Sequence, residues 1–394
     1  MNAERLKRAA IAGFLCSLIA PAMLQADATS ANVSIAKFVS NMKIGGDMRL
    51  RQESFWKTSP GQRDRSRQRF RFRLGVENTI QDVKMAFKLA SGTGEQVSTN
   101  QTFDNLNSQK SIFIDQAYLS WKAREWLTLS GGRMKNPFWR VTSSDLMWDD
   151  DVNPEGFAEQ FKLALNERLG LFANFAQMPL DEDSSDNRDQ WMFGHQLGAN
   201  VKVSQQSKWN VAATLYHFKY ENLNNFGAAA NQEGNTRKTA GSGSSAQTDV
   251  LAASFTIVQL TQEFSTKLGS LPFKVHADYV KNVQSNGALG AAVSDQQSGY
   301  QVGAILGKAG SAKTWEAAYF YKWLETNAAI ADLSDSDFGD GGTNRRGHIF
   351  WLAFNPRDYV QVKAKYFNTK VLRTNIPPGA DNINRLQVDV SVKF

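Results

Sequence analysis

Cysteine and long apolar runs are scarce in this sequence. Its 394 residues include one cysteine, Cys16, and no apolar run reaches the ~20 residues that a membrane-spanning helix needs. Cys16 lies in the apolar stretch 9–24, which follows the basic residues Arg5, Lys7 and Arg8 and precedes a small-residue cleavage site ending at Ala26. This pattern predicts a signal peptide over residues 1–26. The exported chain would contain no cysteine, which excludes disulfides, cysteine metal ligands and a thiol nucleophile.

Signals for an enzyme or a nucleic-acid-binding protein are also weak. The four histidines lie on separate segments without metal-ligand spacing, and residues 307–314 resemble a phosphate loop but have Ala312 where the second glycine is required. The formal net charge is +7, or about +5 without residues 1–26. Because an exported chain rarely meets nucleic acid, we predict a cationic lumen or contact with anionic lipid headgroups. We predict no catalytic residues, no metal and no cofactor.

The last nine residues carry the clearest pattern. Leu386, Val388, Val390, Val392 and Phe394 alternate with polar residues, so a strand would place them on one face. In a soluble sheet that face would meet a core, whereas in an outer-membrane barrel it would meet lipid. Soluble domains rarely end on a strand whose last residue is a large apolar one, because chain termini fray. The terminal phenylalanine therefore favours the barrel.

About sixteen such alternating segments follow one another between residues 42 and 394, after a polar lead at 27–41. Short and long connections alternate between the segments, and single-chain bacterial barrels have an even number of strands, with short periplasmic turns and longer extracellular loops. We therefore predict an all-β fold, a transmembrane antiparallel β-barrel wide enough for an aqueous channel. The alternative is two packed all-β domains joined by the flexible stretch 221–248.

Arginines dominate the polar faces of the first two segments. If this hairpin turns near Pro60, Arg49 lies opposite Arg71 and Arg51 opposite Arg69, although like charges across a ladder are destabilising. Such a cluster persists where an anion or an acidic element faces it. The predicted pore-lining bases are Arg49, Arg51, Arg67, Arg69, Arg71, Arg73, Arg133, Lys84 and Lys88. Arg133 requires a bulge at Gly131-Gly132, because strict alternation from Leu127 and Leu129 would point it at lipid.

The third long loop, residues 136–155, supplies candidate acids. Folded into the lumen, it would oppose the arginines and form a charged constriction. The predicted constriction acids are Asp145, Asp149, Asp150, Asp151 and Glu155. Two alternatives remain open: the arginines could face lipopolysaccharide phosphates near the rim, or the loop could stay outside. Residues 149–151 could hold Ca²⁺, although three adjacent carboxylates in a loop are more often solvated.

These features together resemble bacterial general porins. Residues 47–51 (DMRLR), 117–121 (AYLSW) and 148–151 (WDDD), together with the arginine-rich second segment, are similar to the "putative porin" family of Gram-negative envelopes. The resemblance implies a water-filled outer-membrane channel for small hydrophilic solutes, narrowed by the third loop, and a homotrimer. It also implies contact with lipid and lipopolysaccharide, and a barrel-assembly signal at Phe394. Two other functions remain open: a channel selective for phosphate-like anions or sugars, and an outer-membrane hydrolase.

Overall fold

The computed structural model describes residues 39–59, 61–141, 143–182, 184, 189–220, 234–240, 247–289, 294–375 and 381–394. The chain divides into two units, residues 1–42 and 43–394. In the first unit the backbone N–H of Met42 donates to the carbonyl of Val39 at 3.1 Å. The predicted signal peptide and most of the predicted lead lie outside the described residues. No helix among the described residues is long and apolar enough to cross a membrane.

The second unit contains nineteen strands among the residues described. They are β1 Lys43–Lys57, β2 Arg65–Ile80, β3 Val83–Ser91, β4 Gln101–Thr102, β5 Ile112–Arg124, β6 Leu127–Arg133, β7 Glu155–Ala164, β8 Leu169–Asp181, β9 Gln190–Lys202, β10 Lys208–Lys219, β11 Arg237–Ala240, β12 Gln247–Leu251, β13 Thr256–Leu268, β14 Leu271–Asn282, β15 Ser298–Gly307, β16 Thr314–Leu324, β17 Arg345–Arg357, β18 Val360–Val371 and β19 Ile383–Lys393. Within the described ranges, three short 3₁₀ turns lie in loops, at Asn105–Asn107, Gly287–Leu289 and Ala331–Leu333.

Sixteen of these strands close into an antiparallel barrel. Each pairs with the next barrel strand in the chain, and β1 pairs with both β2 and β19. The two-residue β4 pairs with β2, and β11 and β12 form a separate hairpin in the loop between β10 and β13. The predicted sixteen-stranded barrel is thus confirmed. An even number of strands brings the beginning of β1 and the end of β19 to the same end of the barrel.

Side-chain alternation sets the two faces of the wall. On β19 the side chains of Val388, Val390, Val392 and Phe394 are exposed on the outside, whereas Gln387 and Asp389 are buried inside. The outer face continues around the barrel with exposed aliphatic and aromatic residues such as Leu50, Leu260 and Phe350. Such a surface is stable against lipid and would be unstable in water.

Connections at the two ends of the barrel differ in length. At one end, hereafter the turn end, the connections are two to six residues long, for example 81–82 and 308–313. At the other, the loop end, they include residues 92–111, 134–154 and 325–344, hereafter the second, third and seventh loops. The residues that resemble a phosphate loop, 307–314, form the turn between β15 and β16.

The largest buried apolar cluster lies inside the barrel. Its members include Leu146 and Trp148 of the third loop, Ile330 and Leu333 of the seventh loop, and Tyr216 of the inner wall. Trp148 packs edge-on against Tyr216 with 5.9 Å between ring centroids. The third loop therefore folds inward as predicted. The seventh loop folds inward with it, which the sequence pattern did not predict.

Candidate functional site

The first two strands and the last one carry seven arginines on the inner face. The register of β1 and β2 places Arg49 opposite Arg71 and Arg51 opposite Arg69, as predicted from the hairpin. Arg385 joins them from β19, where it shares the parity of Gln387 and Asp389. The group is called here the arginine wall: Arg49, Arg51, Arg67, Arg69, Arg71, Arg73 and Arg385. Its side chains are crowded because β1 and β2 are neighbours along the whole hairpin.

Carboxylates between the guanidinium groups offset the repulsion between these like charges. Asp47 accepts hydrogen bonds from Arg71 and Arg73, each at 2.7 Å. Arg51 donates to both oxygens of Asp389 at 2.7 and 2.9 Å. Glu53 is fully buried and accepts from Nε of Arg385 at 3.0 Å and also from Arg67. Such charge-assisted bonds are strong in a water-poor environment.

The seventh loop supplies the acid that lies against the wall. Asp337 accepts from Nη2 of Arg385 at 2.6 Å and from Nη1 of Arg51 at 3.2 Å. Burial would raise the pKa of Asp337, but Arg385 and Arg51 outweigh it and hold the pKa well below its usual range. A second contact seats the loop on another strand, because Lys322 of β16 donates to Asp335 at 3.2 Å. The sequence prediction did not include either acid.

Acids of the third loop have three different environments. Asp151 lies 3.7 Å from Nη1 of Arg73, so it reaches the arginine wall, and Asp150 accepts from Arg140 at 2.8 Å. Asp149 accepts from the backbone N–H of Ser336 at 2.9 Å and thus joins the third loop to the seventh. Burial and the charges of neighbouring carboxylates raise the pKa of Asp149 and of Asp145 well above the usual range.

The remaining predicted bases lie away from the centre of the wall. The β5–β6 and β6–β7 registers are continuous through Gly131 and Gly132, so the bulge predicted there is absent. Arg133 keeps the parity of Leu129 and donates to Glu155, the first residue of β7, at 2.9 Å. Positive φ angles at Gly132 and Gly156 interrupt the alternation beside them, and the structure brings these two predicted residues together at the loop end, where both line a cavity with Asp115. Lys84 pairs with Glu77 near the turn end at 2.9 Å, and Lys88 pairs with Asp115 at 2.6 Å.

Aromatic side chains of the inner wall pack against the folded-in loops. Phe320 is fully buried and stacks between His276 and Trp351, and Phe172 contacts Trp139 of the third loop. Among the residues that the structure describes, no three His, Cys, Asp or Glu side chains are grouped as a metal site.

The seam between the first and last strands involves Phe394. Its backbone N–H donates to the carbonyl of Gly46 at 3.1 Å, and its carbonyl accepts from the N–H of Gly46 at 2.9 Å. A Cβ at residue 46 would lie 2.2 Å from the backbone carbonyl oxygen of Arg73 and 2.8 Å from the Phe394 ring, so only glycine lets β2 and the ring approach this closely.

The sequence analysis did not predict two features, the role of Arg385 and the inward position of the seventh loop, for different reasons. Arg385 could have been found by extending the parity of the last strand by one residue. The inward position of the seventh loop had no comparable signal, because its acidic and glycine-rich composition is also typical of a solvated loop. Its short apolar stretch, Ala328-Ala329-Ile330-Ala331, is fully buried.

Comparison with known proteins agrees with this architecture. The sequence profile of a family described as "Putative porin" matches residues 21–240 and 223–394. Among solved structures, OprB of Pseudomonas putida is similar with a TM-score of 0.57 and 10% identity, over 91% of this chain and 96% of that one. The outer-membrane channel DcaP of Acinetobacter baumannii gives a TM-score of 0.49 and 14% identity, over 90% and 97%.

A search of curated proteins found no match. The family profile, however, covers nearly the whole chain, and the fold is similar to that of OprB. The chain therefore belongs to the putative porin family and is a bacterial outer-membrane channel protein.

Proposed function

We propose that this protein is a passive diffusion channel for small hydrophilic solutes that conducts anions better than cations. Residues 1–26 would direct its export and be removed, and the long loops would face the cell exterior. Transport would follow concentration gradients without covalent chemistry, metal or cofactor. The proposal rests on one observation, the positive surplus of the arginine wall.

The surplus follows from the partners of the wall. Seven guanidinium groups lie among five carboxylates: Asp47, Glu53, Asp151, Asp337 and Asp389. Two positive charges therefore remain, and the lysines Lys363 and Lys365 of β18 add to them on the neighbouring strand. A lumen with fixed positive charge concentrates anions and repels cations.

Water reaches only part of this wall. The side chains of Arg49 and Arg71 are each 13% exposed and that of Arg73 is 24% exposed, whereas Arg51 and Arg385 are almost completely buried. The first three lie nearer the turn end, beyond the seventh loop. We infer that these three act on passing ions and that the buried pair holds the loop in place.

Ion selectivity tests the proposal. We expect the double variant Arg49→Gln/Arg71→Gln to shift the reversal potential in a salt gradient toward cations, because two positive charges leave the lumen. The matched control is Arg168→Gln/Lys308→Gln, which removes two exposed charges from turns and should leave the reversal potential nearly unchanged. Planar-bilayer recording of the refolded proteins gives both values. An equal reversal potential in all three proteins would remove the arginines from the ion pathway.

The assembly of the channel is also part of the proposal. We propose a homotrimer surrounded by lipid and lipopolysaccharide, with Phe394 as the residue that the barrel-assembly machinery recognises. Glu159 on β7 supports the view that another copy of the chain covers part of the outer surface. It has the outward parity of Phe157 and Phe161 and accepts a hydrogen bond from Gln177 at 3.1 Å. An ionised carboxylate within the apolar belt is unfavourable against lipid.

A further inference from the structure

We propose that solutes cross this barrel by an eccentric route along β2, β3 and β5, and that three polar side-chain pairs form a selective septum across it. The inference rests on the proposed channel function and specifies which residues control it. It starts from the position of the third and seventh loops, which pack together in the middle of the lumen. Trp148, Ile330 and Leu333 are almost fully buried there.

An outer cavity of about 810 Å³ lies beside these loops, at the loop end. Its walls are the second loop, the end of the third loop, the beginning of β5 and the end of β8. Carboxylates outnumber bases in its lining. The charged lining residues are Glu95, Asp115, Asp151, Glu155, Asp181 and Arg133.

An inner cavity of about 310 Å³ lies nearer the turn end, between the beginning of β1, β2 and β3. Here bases outnumber carboxylates. The charged lining residues are Lys43, Arg73, Lys88, Lys135, Asp47 and Glu77. The two cavities therefore have opposite electrostatic character.

Three side-chain pairs join the two linings. Lys88 of the inner cavity contacts Asp115 of the outer cavity at 2.6 Å. Gln116 of the inner cavity donates to Asn153 of the outer cavity at 2.8 Å. Arg73 of the inner cavity lies 3.7 Å from Asp151 of the outer cavity.

Each pair has one member in each cavity, so the partition between them is a single layer of polar side chains. This layer, the septum, is held by side chains alone. Side-chain contacts of this kind exchange rapidly compared with loop rearrangement. A polar solute can replace them transiently, because it offers hydrogen bonds of its own. The carboxylates of the septum lie on its loop-end side, toward the proposed cell exterior, and the cations lie on its turn-end side.

The septum has a supporting feature in the wall. Asp115 is the extra residue of a β-bulge, because Lys88 pairs with Gln116 and Leu89 with Ile114. The bulge turns the Asp115 side chain inward, next to Gln116, where alternation would otherwise point one of them outward. Asn153 also donates to Asp115 at 2.8 Å and so connects two of the three pairs.

Single-channel recording of the full-length protein tests the route. The double variant Lys88→Gln/Asp115→Asn conserves net charge and side-chain size but removes the ion pair. We expect its conductance to rise roughly twofold, because the remaining contacts are weaker than a charge-assisted pair. The control is Lys274→Gln/Glu263→Gln, which removes a similar pair, 3.1 Å apart, on β13 and β14 across the barrel. This control should conduct like the unchanged protein.

Single variants test the direction in which the reversal potential shifts. A purely structural role of the pair would not produce opposite shifts for its two members. Lys88→Gln should shift the reversal potential toward cations and Asp115→Asn toward anions, because both charges then face the permeating ions. Folding of each variant is checked by its heat-modifiable mobility on gels. If the unchanged protein conducts and neither the septum pair nor its single variants alter conductance or selectivity, the route is overturned while the channel function stands. An unchanged protein without stepwise conductance would overturn the channel function and the route together.

Discussion

The arginines of the lumen differ in role, and each role can be inferred from the burial and the contacts of the side chain. Arg385 is fully buried and contacts Glu53 and Asp337, so water cannot screen its charge. Removing one member of a buried ion pair leaves the other uncompensated. Arg73 by contrast keeps contact with water and with the acids of two elements, Asp47 and Asp151. The same residue type therefore serves as an anchor in one place and as a pore-lining charge in another.

Asp337→Asn should release the seventh loop. The change removes the carboxylate charge between Arg51 and Arg385, and loss of one partner in a buried pair costs about 3–5 kcal/mol. Because the Asp337 side chain is 24% exposed, we expect the lower end of this range. Limited proteolysis should cut residues 325–344 faster, and single-channel conductance should rise.

The control for this variant is Asp340→Asn in the same loop. Asp340 pairs with Lys57, and its side chain is 39% exposed, so its loss should change neither proteolysis nor conductance appreciably. Equal cleavage rates for Asp337→Asn and the unchanged protein would show that the arginine contacts do not hold the loop.

At the scale of the element, the strands were predictable, whereas of the two inward loops only the third was predicted. A period of two is imposed by backbone geometry, and it gave both the faces of β1 and β2 and the pairing of Arg49 with Arg71. The bulge at Asp115 was not predicted, because a single extra residue leaves no clear trace in a short alternating pattern. For Arg133 the glycines suggested a bulge that the continuous register does not contain.

The seventh loop shows the limit of reasoning from the sequence. Its inward position depends on contacts with Asp149, Lys322 and Arg385, which are far away in the chain. Neither composition nor periodicity encodes such contacts. The third loop was assigned inward because its acids could oppose the arginines and because the chain resembles porins, and the assignment of its acids to a constriction stays a prediction.

Asp145 makes the packing of the third loop depend on pH. Its Oδ1 is buried and has no hydrogen-bond partner among the described residues. Because its pKa is raised in the folded protein, ionisation destabilises the folded state as the pH rises above the ordinary aspartate pKa of 3.8, and the loss of stability is complete above the raised pKa. Asp145→Asn should therefore raise the melting temperature at pH 8 and have little effect near pH 4.

Thermal unfolding in detergent micelles at the two pH values measures this difference. We expect a gain on the order of 1 kcal/mol at pH 8, because a buried charge is replaced by a neutral group of the same shape. Asp150→Asn is the matched control, since Asp150 is exposed and pairs with Arg140. A gain for Asp145→Asn that is equal at both pH values would contradict the assignment of the effect to ionisation.

For the molecule as a whole, closure is the feature from which the rest follows. The seam between β1 and β19 pairs eleven residues of each strand, from Asp47 with Lys393 to Lys57 with Ile383. It gives the barrel an inside and an outside, and no strand edge is left between β1 and β19. The terminal alternation that ends on Phe394, together with the even number of alternating segments, predicted this closure. Its packing against Gly46 required the structure.

Because the closed barrel turns its outer face toward lipid, polar residues on that face need an explanation. Glu159 lies on the outer face of β7, His195 is exposed on β9, and aromatic Phe175 lies between them on β8. Leucine and phenylalanine side chains surround this group along the same strands, which places it within the apolar belt. A carboxylate in that position is more stable against polar groups of another protein than against lipid. The proposed homotrimer would supply them.

We therefore expect Glu159→Leu to weaken the trimer. If the carboxylate contacts a second copy of the chain, its loss leaves that copy's polar partner unpaired, and the trimer should dissociate at a lower temperature. Gln262→Leu on β13 is the matched control, since Gln262 is exposed and has outward parity four strands away from β7 around the barrel. Native mass spectrometry in detergent over a temperature series measures the trimer fraction of each protein. If Glu159 faces lipid instead, leucine removes an unfavourable group there, and the variant would be at least as stable as the unchanged protein.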